Sequence, residues 1–312
     1  MGDPYLPRGG ELSEHLAALN DFPSDDARDR GDLAKVAAYG QEVLGREWLR
    51  VVLRDIFDRS YPPCSIHNYL ASLEPNLLIL TTNYDDLTEQ AFHDAGRPFH
   101  VVVHPIDRAE WSASVLWWRP GARTPVMEAP NNLRLIPGQE TIIYKIHGTV
   151  HRPRPSGEGA MADVDESSSP PPQFEVNGAE ACQGEGAPGL AATATVPSTD
   201  EEWDSFLITE DDYVEFLSRM TMAPVIPSTF VQHFNRSQFL FLGYGLNDWN
   251  LRVVLRNLML TRRGPSWAVQ FNPSRLEERL WQAREVDIYD LSIDAFVQGL
   301  FNAQARNDGG RS

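Results

Sequence analysis

The stretch NLLILTTNYDD, residues 76–86, decides the fold. Its apolar half, Asn76–Thr81, is too short for a helix of its own and shows no polar face. It reads as a strand buried on both faces, as in a parallel sheet. Its polar half follows directly, and Asp85 or Asp86 caps a helix running to Gly96.

Working outward, the same alternation repeats. Phe99–Val103 and Thr141–Ile146 read as further strands, the latter ending at His147-Gly148. After Thr209, whose position before Glu-Asp-Asp marks a helix start, come helices over ITEDDYVEFLSRM and about 226–236. The strand Gln238–Leu242 leads into GYGLND, residues 243–248, and a helix from Asp248 to about Thr261. Strand Trp267–Phe271, helix Arg275–Arg284, strand Val286–Tyr289 and helix Ile293–Phe301 close the pattern. Strand–helix alternation of this kind specifies an α/β fold with a Rossmann-like, doubly wound parallel sheet. Upstream, residues 11–20 and 32–58 carry apolar side chains at helical spacing, with Gly40 and Gly45 as break points, and Ser65 caps a short helix to Leu73. Residues 104–140 are mixed. Their Trp111, Trp117 and Trp118 fit either core packing or an interface.

Residues 151–202 differ from their surroundings: SSSPPP and GEGAPG are linker composition, with almost no large apolar side chains. The expected organisation is one domain over 1–150 and 203–306, a disordered acidic Pro/Gly/Ser-rich insertion at 151–202, and a flexible tail at 307–312. The insertion carries much of the net charge of −17.

That charge repels nucleic acid at long range. Arg252, Arg256, Arg262 and Arg263 form the nearest basic group, and they read as a solvated helix face. The two cysteines, Cys64 and Cys182, imply no disulfide framework and no four-cysteine zinc site. No signal-peptide pattern opens the chain, and no apolar run approaches the roughly 18 residues of a membrane span. The expectation is a cytoplasmic protein with no membrane partner.

In open parallel sheets, ligands bind beyond the C-terminal strand ends. Three polar clusters occupy such positions: TTNYDD at 81–86, His147-Gly148, and GYGLND. Asn83 offers both a donor and an acceptor, or else, with Asp86, only turns the chain. His147 is a proton acceptor at neutral pH, or else a hydrogen-bonded strand-end histidine. The glycines of GYGLND let a phosphate approach the backbone at a helix start, or else serve the turn alone. His104, beside Pro105, is a structural histidine.

Taken together, LLILTTNYDDLTEQAF, YKIHG, FLITEDDYVEFL, FLFLGYGLNDWNLR and the closing WAVQF…VDIYDLSIDAFVQGL resemble the bacterial sirtuin-like (silent information regulator 2-like) domain family over about 65–150 and 206–302. The resemblance implies NAD as substrate. Asn83 and His147 match the family's catalytic residues, with Asp85 as the acid two residues after Asn83. Thr82, Gly243, Tyr244 and Gly245 fall to the dinucleotide, and Asn272 to the ribose. Deacylating sirtuins carry four zinc cysteines after the His-Gly block; Cys182 alone stands there, which implies the NAD-hydrolase branch and no zinc. Members of that branch act in antiphage defence, as oligomers or with a partner protein. The family also begins with a strand and a Gly-Ala-Gly loop around the pyrophosphate. No match to it precedes residue 11, so the sheet is expected to lack its first strand, leaving two unpaired edges. Either the true start lies upstream and the sequence is a fragment, or part of the cofactor site is lost; the alternative reading is then a truncated, catalytically inactive nucleotide-binding or interaction subunit.

Overall fold

The computed structural model describes residues 5–57, 59–106, 108, 111, 113–150, 203–222, 226–244 and 265–309. The expected insertion at 151–202, Gly245, the helix from Asp248, the four arginines 252–263 and Cys182 lie outside the described residues.

A helical layer comes first: α1 (Gly9–Leu19), α2 (Ala27–Arg30), α3 (Leu33–Leu44) and α4 (Arg46–Phe57). Leu12, Leu16, Val36, Leu49 and Leu53 recur at helical spacing and pack as one core with Phe206 and Ile208. α2 escapes the apolar pattern because no residue in it is buried; its Asp26 cap, accepting from Arg28 N at 2.8 Å, makes it. Only Gly45 breaks the long helix. Gly40 lies inside α3, where a Cβ would sit 2.4 Å from the Trp48 ring, so its role is close packing. α4 is stapled to residues 204–212. Arg46 donates to Asp212 Oδ2 at 2.8 Å and Phe206 O at 2.6 Å, Arg50 to Asp204 O at 3.0 Å, and Arg54 pairs with Asp204.

After α5 (Ser65–Ser72), the chain enters a five-stranded sheet. β1 (Leu78–Thr81), β2 (His100–Val103), β3 (Val115–Trp118), β4 (Val126–Glu128) and β5 (Ile142–Lys145) take the order β1-β5-β2-β3-β4. β5 pairs parallel with β1 and β2, with Thr81 and Val103 both opposite Lys145. β3 and β4 extend it antiparallel, a hairpin the mixed composition of 104–140 conceals. Trp111 and Trp118 are buried there against Trp203, so this segment is core. Helices cover both faces, as a doubly wound sheet requires. α6 (Leu87–Asp94) and α5 meet Ile143 through Phe92, Ala91 and Ala71. On the other face, α7 (Glu210–Met222) and α8 (Ser228–Arg236) meet Ile142 and Tyr144 through Phe216 and Phe230. Thr209 and Asp212 cap α7 reciprocally, Asp212 N to Thr209 Oγ1 at 3.2 Å and Thr209 N to Asp212 Oδ2 at 3.0 Å.

A short antiparallel pair, β6 (Gly148–Thr149) with β7 (Ser205–Phe206), joins the chain on either side of residues 151–202. A second parallel sheet has the order β10-β9-β8, from β8 (Leu240–Leu242), β9 (Ser266–Gln270) and β10 (Val286–Asp290). α9 (Arg275–Gln282) crosses between β9 and β10, and α10 (Ile293–Gly309) follows. α10 runs past residue 306, where a flexible tail was expected; 310–312 lie outside the described residues.

Among the described residues, β1 and β8 each end their sheet. This corrects the reading of residues 76–81 as buried on both faces. β1 is half-buried at all four positions, paired on one edge alone among the described residues. Within this sheet β5, paired on both edges, is buried at every position. No helix among the described residues is long and apolar enough to cross a membrane.

Candidate functional site

The segments after β1, β5 and β8 lie at the C-terminal ends of parallel strands. They face α1 and α7 across a cavity of about 430 Å³. Thr82, Asn83, Asp85, His147 and Tyr244 all line it. Of the other predicted residues, Gly243 and Asn272 are outside the lining. Asn272 sits after β9 with its N–H on Asp290 Oδ1 at 2.7 Å, an exposed turn residue with φ 51°. Gly245 lies outside the described residues.

Asn83 is exposed to the cavity, its backbone fixed by an N–H bond to Thr81 Oγ1 at 3.1 Å. That short turn leaves its amide free of the β1 ladder. Asp85 has two tasks: it lines the cavity, and its Oδ1 accepts from Leu87 N at 3.1 Å, capping α6. The cap is therefore Asp85; Asp86 occupies the cap position without a side-chain cap bond. Thr82 Oγ1 and Tyr244 Oη lie 2.9 Å apart, linking the end of β1 to the end of β8.

His147 follows β5 and is buried. Its ring packs edge-on against Tyr213 and Phe216, with centroids 5.5 and 6.3 Å away. Burial pushes its pKa down to about 4, so the ring is neutral at pH 7 and able to accept a proton. Gly148 next to it has φ 87°, and a Cβ there would sit 1.9 Å from Ser205 O. The strand-to-strand turn that presents His147 thus requires glycine.

His104 is buried under Phe216, and desolvation followed by the Arg219 charge drives its pKa down to about 3. It is a core histidine outside the cavity lining, as expected.

Several lining residues carried no sequence signal of their own. Arg8, at the start of α1, brings a cation to the cavity; Phe57 and Tyr213 bring aromatic faces. They come from segments far from the strand ends in sequence, and only the packing of the helical layer delivers them. Lys145, buried beneath the site, likewise carried no sequence signal of its own. Its Nζ bonds Glu89 Oε1 at 2.9 Å. Burial raises the Glu89 carboxyl above the usual range, against the opposing pull of Lys145.

The donor set suits a nucleotide: an amide, a carboxylate, tyrosine hydroxyls, aromatic faces and one guanidinium around a cavity of drug-sized volume. Among the described residues, no group of three or more His, Cys, Asp or Glu is placed to hold a metal ion.

No curated protein matches the chain. The family model for the SIR2-like domain matches residues 77–289, which spans β1 to β10 and every strand-end cluster described above. The chain therefore belongs to the SIR2-like domain family, a family of NAD-binding, NAD-dependent proteins.

Proposed function

We propose that the chain hydrolyses the nicotinamide–ribose bond of NAD. The reading is carried by one observation: Asn83, Asp85 and a neutral His147 converge on a single cavity. Breaking this bond builds positive charge on the ribose, as in glycoside hydrolysis. The Asp85 carboxylate supplies the opposing charge. The Asn83 amide, donor and acceptor at once, orients a ribose hydroxyl or the attacking water. His147 takes the proton released, and a positioned base of this kind contributes roughly 100- to 10,000-fold in rate. Thr82 and Tyr244 line the cavity and link the segments that follow β1 and β8.

The test is nicotinamide release from NAD by the purified chain. H147A and N83A should each abolish it while leaving the thermal transition in place; full turnover in both variants would refute the assignment. The family resemblance further supports a role as an antiphage defence effector. Bacteria expressing the chain should then lose NAD after phage challenge, and those expressing H147A should not.

That β1 and β8 each end their sheet among the described residues favours a second reading, a nucleotide-binding subunit without turnover. NAD binding heat without nicotinamide release would select it.

A further inference from the structure

Lys145 has no reason of packing to be where it is. It stands on β5 among Ile142, Ile143, Tyr144 and Ile146, all buried, and is itself only 1% exposed. An apolar residue there would serve stability as well or better, because taking an ammonium out of water is costly unless every proton finds an acceptor. Three acceptors meet it: Glu89 Oε1 at 2.9 Å, Asp85 O at 2.5 Å and Tyr84 O at 3.4 Å. Two of the three are backbone carbonyls of the segment that carries Asn83 and Asp85.

The Tyr84 carbonyl is shared. Thr149 Oγ1 and Val150 N also reach it, each at 3.4 Å. Lys145 and Thr149 lie two residues before and two after His147. The groups flanking His147 on both sides therefore grip the residue that follows Asn83. The Tyr84 ring adds a third hold, its hydroxyl donating to Leu207 O.

We propose that Lys145 is a positioning residue that fixes the Asn83–Asp85 segment relative to His147. The proposal rests on the reading of those three residues as an NAD-cleaving set. Catalysis of this kind depends on holding groups in place, and a displacement of about 1 Å is worth on the order of 100-fold in rate.

The experiment compares the full chain with K145M and with K145M/E89L, the second removing the carboxylate that the first leaves unpaired. Hydrogen exchange is read at the amides of residues 83–87 and, as a control, at those of β2 and α3. Both variants should exchange about tenfold faster at 83–87 with the control amides unchanged. In turnover of NAD, kcat should fall about 100-fold while KM changes by less than about threefold. Unchanged exchange at 83–87 in a folded variant overturns the proposal, as does a kcat within about threefold of the parent. If the parent chain releases no nicotinamide, the NAD-cleaving reading fails, and the exchange arm still decides whether Lys145 holds the segment. If K145M does not fold, K145M/E89L decides. Failure of both to fold overturns the proposal, because it makes Lys145 a residue of the fold as a whole.

Discussion

The hydroxyls of Thr82 and Tyr244 are hydrogen-bonded at 2.9 Å, and the two residues follow strands of different sheets. Thr82 follows β1 and Tyr244 follows β8, the edge strands at which the parallel order stops. Among the described residues no ladder bond joins these strands, and this side-chain pair connects them at the mouth of the cavity. A neutral hydrogen bond contributes about 1 kcal/mol net. The cycle of T82V, Y244F and the double variant should therefore return a coupling of about 1 kcal/mol in denaturant unfolding. Strict additivity would show that the contact carries no stability.

His147 is held neutral by burial, with a pKa of about 4. A base must be deprotonated to act, so lowering its pKa extends the active range toward acid. The acid limb of kcat/KM for NAD should fall near pH 4, well below the 6.5 of an ordinary histidine. A limb at about 6.5 would mean that the ring is solvated in the working enzyme. Protein fluorescence at each pH separates loss of the base from loss of the fold.

How much of this site was legible before folding depends on the kind of signal. Asn83, Asp85 and His147 are strand-end residues, and a short apolar run followed by a polar cluster marks them locally. The order of strands was not local. Nothing in NLLILTT shows that β1 ends its sheet among the described residues while the strand in TIIYKI is paired on both sides, because both are apolar runs of similar length. The β3–β4 hairpin was hidden for a related reason: its Trp118 is buried in one cluster with Trp203, far away in sequence. Lys145 and Arg8 were illegible because their importance lies in what surrounds them. A lysine in an apolar strand is informative only when its three acceptors are known.

His104 is a weak point of the core. Neither ring nitrogen meets a hydrogen-bond partner among the described residues, and the ring packs on Phe216. A buried polar group without a partner costs about 1–3 kcal/mol. H104L should raise stability at pH 7 by about 1 kcal/mol, part of the gain being offset by imperfect packing. The linkage has a definite sign. His104 and His147 have folded pKa values of about 3 and about 4, below the 6.5 of the unfolded chain. Their neutral-state stability is complete above pH 6.5 and is lost as pH falls toward those values, by up to about 1.4 kcal/mol per pH unit for each ring. The advantage of H104L should accordingly widen between pH 6.5 and about 4. An advantage that stays constant over that range would place the His104 ring in contact with water.

Gly148 allows the sharpest test of the turn that presents His147. It has φ 87°, and its Cα faces the Ser205 carbonyl so closely that an added Cβ would lie 1.9 Å from the oxygen. That oxygen belongs to β7, which pairs with β6 through Gly148 and Phe206. Strain at the dihedral and overlap with a backbone atom act together, and neither can be relieved by turning a side chain. G148A should cost more than about 2 kcal/mol in denaturant unfolding. The damage should be directional: β7 must move away from β6, and with it Phe206, the residue through which Arg46 of α4 holds the chain at 2.6 Å. Hydrogen exchange in G148A should therefore rise first at residues 205–207 and at the start of α4, with β9 and β10 unaffected. Equal exchange gains in all of these elements would show that the clash is absorbed by the whole fold, leaving no selective role for the β6–β7 pair.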